Sequence, residues 1–69
     1  MNKTWSEQVQ AVPGHYTTKQ REDFLFTLLY SQLKDDGFSE TQIREHFLHE
    51  FDIRHSAYYV RKRRMERGM

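Results

Sequence analysis

FLHEFDIRHSAY, residues 47–58, decides how this 69-residue chain folds. Upstream of it Ile43, Phe47 and Phe51 recur every four residues, which places them on one slowly drifting seam of a helix, with Leu48 beside that seam. Asp52-Ile53 breaks the repeat. A new one begins with Ile53, Ala57 and Val60 on one face and His55, Tyr59, Lys62 and Arg63 pointing away, so a second helix starts at about Arg54 or His55. Only a few residues separate the two helices. Helices joined so tightly cross at a steep angle, and Asp52 suits the turn because Asp enters the left-handed region more easily than most residues.

Working upstream, Ser39 with Gln42 forms a capping box, and Phe38 against Ile43 has the spacing of a hydrophobic staple. A longer helix precedes it. Thr17 with Gln20 is its N-terminal box, Phe24, Leu25, Leu28, Leu29 and Leu33 form its apolar stripe, and Gly37 is its stop. Phe26 and Tyr30 widen that stripe beyond one face. The leader carries Thr4-x-x-Glu7 and a Trp5/Val9 pair one turn apart, so a short turn of helix can form over residues 5–10 before Pro13-Gly14. Such a segment either packs Trp5 and Val12 on the domain or stays an arm. The expected architecture is all-α, a compact three-helix bundle over residues 17–66, with an N-terminal arm at 1–16 holding that extra helical turn and a basic tail at 67–69.

Size and charge narrow the function. A chain this short buries only about 60% of the surface its unfolded form exposes, so a preformed catalytic pocket is hard to build and no enzyme is expected. There is no cysteine, and with three glycines in the chain no phosphate-cradling loop. No apolar run is long enough for a membrane span and no signal pattern opens the chain, which reads as soluble, intracellular and cytoplasmic. The net charge of +1 hides a division: residues 1–52 carry 5 Lys/Arg against 9 Asp/Glu, and residues 53–69 carry 6 against Glu66 alone. Segregated positive charge attracts polyanions.

Residues 39–64 resemble the helix-turn-helix of bacterial and phage DNA-binding regulators, with residues 17–36 as the bracing helix. In that likeness Phe51 closes the supporting helix, Asp52 stands at the usual turn glycine, Ile53 is the apolar residue after it, and Ser56-Ala57-Tyr58 begin the recognition helix. Leu48 and Asp52 depart from the small residue and the glycine usual at their places. The resemblance implies binding to double-stranded DNA. Arg54, His55, Ser56 and Tyr59 would then lie at the end of the helix that reads base edges, while Lys62, Arg63, Arg64 and Arg67 would neutralise phosphates. Tyr58 is the core member of the tyrosine pair and Tyr59 the exposed one, and Arg64 falls on the Ile53/Ala57/Val60 side.

Other chemistries have less behind them. His46 and His49 share a face near Glu45, Glu50 and His55, yet nothing fixes a third and fourth metal ligand, so neither metal nor cofactor is expected. So small a domain contacts one half-site well, which makes a homodimer or a larger complex the expected working form; Phe26, Tyr30 and the Trp5 arm are either its candidate surfaces or the residues that complete the core. The alternative reading is a helical interaction module, of the kind found among phage accessory proteins, docking on an acidic surface of a host protein. Tyr and Arg together also favour protein hot spots, and an arginine-rich helix can serve RNA as well.

Overall fold

The computed structural model describes residues 4–67. They form four helices: α1 (Trp5–Gln10), α2 (Thr18–Asp35), α3 (Glu40–Glu50) and α4 (His55–Glu66), with no strand among the described residues. Residues 68 and 69 of the expected basic tail lie outside them, as do residues 1–3 of the leader.

Local chemistry sets the boundaries. The Thr17 and Ser39 hydroxyls accept from the N–H of Gln20 and Gln42 at 3.2 Å, and both glutamines return the bond to the cap backbone, so both capping boxes close. At the first helix only half a box forms, with the Thr4 hydroxyl accepting from Glu7 N–H at 3.2 Å. Helix α2 ends in a Schellman turn: Phe38 N–H donates to the Leu33 carbonyl and Gly37 N–H to the Lys34 carbonyl, with Gly37 at φ 91°. Between α3 and α4, Asp52 takes φ 54°, the left-handed turn residue anticipated there. Arg54 is the N-cap of α4 and offers no side-chain bond to it.

The core is largely aromatic. Trp5, Val9, Phe26, Tyr30, Ile43, Phe47, Ile53 and Tyr58 are buried, with Leu25, Leu29, Leu33, Phe51, Ala57 and Met65 packed against them. Phe26 stacks on Phe47 at 4.7 Å between ring centroids, and Tyr58 meets both, at 5.6 and 5.7 Å. Trp5 presents edge-on geometry to Phe47 and Phe51 at 6.0 and 5.4 Å, so α1 closes one end of this core. Three helices become four because Trp5 and Val9 supply apolar surface that the other three lack.

The α1–α2 connection is fastened by one side chain. Arg21 donates from Nε to the Tyr16 carbonyl (3.0 Å), from Nη1 to the carbonyls of Gln10 and Val12, and from Nη2 to that of Gly14 (2.6 Å). Segment 4–16 is thus tied to the domain at both ends, by Trp5 in the core and by Arg21 at the loop.

Three core expectations are corrected. On α2, Phe26 and Tyr30 point inward, so neither they nor Trp5 can form a dimer surface; Phe24 and Leu28, expected inside, are 57% and 52% exposed. The whole apolar band of α2 exceeds one helix face, and α3 and α4 cover its Phe26/Tyr30 side. On α4, Val60 is 51% exposed. The ring of Tyr58 takes the inward position, which turns Val60 to solvent. In the leader Val9, not Val12, joins Trp5 inside.

Candidate nucleic-acid interface

Helix α4 has two kinds of cation. Arg61 is drawn inward: it donates to the Ala57 carbonyl (3.1 Å), lies 3.4 Å from Glu22, and its guanidinium sits 5.6 Å from the centroid of the Trp5 ring. Arg64 reaches Glu22 at 3.7 Å and Asp23 at 3.1 Å. Lys62 pairs with Glu40 at 3.3 Å. Of these carboxylates Glu40 opens the first turn of α3, where it also suits the helix dipole, while Glu22 and Asp23 lie in the second turn of α2. Three of the four cations in the run Arg61–Arg64 therefore serve the fold's own electrostatics.

The outward face is different. Arg54, His55, Ser56, Tyr59, Val60, Arg63 and Arg67 are exposed, and no carboxylate among the described residues lies at ion-pair distance from Arg54, Arg63 or Arg67. Of the eight candidate residues, His55, Ser56, Tyr59, Arg63 and Arg67 are exposed along α4, Arg54 is exposed at its N-cap beside Ala57 and Arg61, and Lys62 and Arg64 turn toward carboxylates. Val60 joins the face as an apolar patch among polar groups.

Tyr59 is held in place from several sides. Its hydroxyl accepts from Arg44 Nη1 at 3.2 Å, its ring meets Tyr58 edge-on at 5.4 Å, and His55 lies 6.4 Å away, one turn earlier. Arg44 is a member of this surface that the sequence pattern does not reveal. It flanks the Ile43–Phe47 seam of α3, and only the return of α4 past α3 brings it beside Tyr59.

Beneath Tyr59 the α3–α4 cleft narrows to a pocket of about 60 Å³ lined by Glu40, Thr41, Arg44, Tyr58, Tyr59 and Lys62. Glu40 organises one wall, accepting from the Tyr30 hydroxyl and pairing with Lys34 (3.0 Å) and Lys62. The Tyr30 hydrogen bond, then the two lysines, hold the Glu40 carboxyl down at about 2. Burial, then Glu40 itself, pushes the Tyr30 phenol above its ordinary value, and burial chiefly raises Tyr58 to about 12. The Tyr58 hydroxyl is buried with no partner among the described residues.

The histidines of α3 have separate surroundings. His49 pairs with Glu45 at 3.1 Å, and His46 lies edge-on to Phe47 and Phe51 at 6.2 and 5.9 Å. No group of three or more metal-ligating side chains clusters among the described residues, and no helix there is long and apolar enough to cross a membrane.

No protein-family model, curated protein or solved structure matches this chain. Its function must come from its own side chains.

Proposed function

We propose that the chain is a small DNA-binding protein that lays α4 in the major groove of double-stranded DNA, in the manner of a helix-turn-helix. The observation that carries the reading is the outward face of α4: Ser56, Tyr59, Val60 and Arg63, flanked by Arg54 and Arg67, exposed directly after a left-handed turn at Asp52. Arg54 offers bidentate donors for guanine, a good pair worth about 1–3 kcal/mol of discrimination, and Val60 offers an apolar contact for a thymine methyl, while Arg63 and Arg67 are the phosphate contacts. Arg54, Arg63 and Arg67 carry charge that no carboxylate among the described residues neutralises. Arg44, held against Tyr59 and paired with Glu45 at 3.7 Å, lies at the edge of the same surface.

The test is binding to random duplex DNA at several salt concentrations. Two phosphate contacts, from Arg63 and Arg67, give a slope of log affinity against log salt of about −1.8, on the scale of −0.9 per contact. Arg63→Ala should reduce both affinity and slope, by about one contact's worth. Binding that is absent, or that is insensitive to salt, overturns the proposal.

A second reading is favoured by the pairing of Arg61, Lys62 and Arg64 with carboxylates. That pairing thins the free charge and leaves a surface with exposed Tyr59 and Arg63, residue types that anchor protein partners. Under this reading the same face docks on a protein, and Tyr59→Ala weakens capture of that one partner after nuclease treatment while Arg67→Ala barely matters.

A further inference from the structure

We infer that the outer face of α2 is a self-complementary seam through which two copies of the chain pair antiparallel. The run Phe24–Leu33 contains no charged residue, in a chain that is 30% charged. Half of that run faces the core. The other half does not: Phe24 and Leu28 are 57% and 52% exposed, Tyr16 beside Phe24 is 46% exposed, and Ser31 is exposed too. An open apolar groove of about 440 Å³ runs along the same edge, lined by Val12, Pro13, Tyr16, Phe24, Leu25 and Leu28. Depletion of charge around exposed aromatic and aliphatic groups is the composition of an interface centre.

The order of residues names the occupant. Arg21, Phe24, Leu28, Ser31 and Asp35 succeed one another at alternating spacings of three and four, which keeps them on one side of a helix and is the spacing of a two-helix seam. The seam has a cation at one end, an anion at the other and apolar groups between. Arg21 gives its hydrogen bonds to carbonyls, which leave its charge unneutralised, and neither Arg21 nor Asp35 has an ion-pair partner among the described residues.

Laid antiparallel about a two-fold axis at Leu28, the seam matches itself. Arg21 meets Asp35 of the second copy, Phe24 meets the small Ser31, and Leu28 meets its own equivalent, each contact made twice as an isologous pairing requires. A parallel pairing would instead set Arg21 on Arg21 and Asp35 on Asp35. Asp35, exposed at the C-terminal end of α2, also sits badly with its own helix dipole, and the antiparallel mate brings a cation to it.

Mass and cross-linking test this without reference to DNA. By sedimentation equilibrium the chain should give twice its 8.5 kDa monomer mass in the high micromolar range. Leu28→Asp and Asp35→Arg should each raise the dimer dissociation constant at least tenfold with unchanged helical circular dichroism, since both positions are exposed in the single chain. The chain has no cysteine, so single ones report geometry. Leu28→Cys at the axis should oxidise to a disulfide dimer, whereas Asp35→Cys, about 20 Å from its equivalent at 1.5 Å per helical residue, should not. A monomer throughout, cross-linking at both positions, or a dimer indifferent to both charge and apolar substitutions overturns the inference.

Discussion

Asp52 is where a single backbone angle shapes the α3–α4 unit. At φ 54° a residue with a Cβ loses about 1–2 kcal/mol relative to glycine, and Asp and Asn lose least. Asp52→Val should therefore lower stability by about 1–2 kcal/mol, seen as a lower urea midpoint at constant slope, because β-branching adds to the clash. Asp52→Gly should move the midpoint little. Its relief of strain is offset by about 0.5–1 kcal/mol of extra freedom in the unfolded chain. Equal loss for Val and Gly would mean that the Asp52 carboxylate, and not the backbone, sets the turn. This residue was legible in the sequence, since a four-residue repeat that breaks at an Asp and restarts with Ile53 marks a tight left-handed turn between two helices. Arg44 was not, because its role depends on where Tyr59 arrives from another helix.

Among the elements, α1 has six residues, too few to be stable by itself. Its place depends on Trp5, which is 7% exposed and bracketed by Phe47, Phe51 and the Arg61 guanidinium. Trp5→Ala should cost about 3–5 kcal/mol, the range for a buried large aromatic, and leave little folded protein at 37 °C. A leader that hung free would lose less than about 0.5 kcal/mol. Trp5 is the one tryptophan, so its emission follows the docking of α1 directly. Arg61→Met, which takes the guanidinium from the ring, should shift that emission while costing far less stability than Trp5→Ala. The capping boxes and the interrupted repeat made the three longer helices readable from the sequence. The side of α2 that faces the core was not readable, because Phe24/Leu28 and Phe26/Tyr30 both repeat at helical spacing, and only the positions of α3 and α4 choose between them. The same ambiguity misplaced Val60, whose exposure follows from the seating of Tyr58.

At the scale of the whole molecule, paired charge and buried phenols set the pH range of stability. Glu40 has its folded value lowered from 4.5 to about 2, so the folded state favours its ionised form. The stability this lends is complete above about 4.5 and is lost as pH falls toward 2. Because the Glu40 side chain is 48% exposed, solvent screening holds the effect to roughly 1 kcal/mol or less. Tyr58 works at the other limit: its value rises from 10.0 to about 12 because burial disfavours the phenolate. That stability is complete below pH 10 and is lost as pH climbs to 12, where the unfolded chain already ionises and the folded core resists. Urea midpoints measured across pH should therefore form a plateau with a shallow acid limb and a steeper alkaline one. Glu40→Gln keeps an acceptor for the Tyr30 hydroxyl but cannot titrate, so it should lower the plateau slightly, flatten the acid limb between pH 4.5 and 2, and also ease the alkaline limb, because the Glu40 charge adds to burial in raising both phenols. Tyr58→Phe removes a buried hydroxyl that has no partner among the described residues, so it should hold or raise the plateau and make the alkaline limb shallower. A loss of more than about 1 kcal/mol at neutral pH in Tyr58→Phe would show that the hydroxyl is bonded in solution. The aromatic core would then depend on that polar contact as well as on packing.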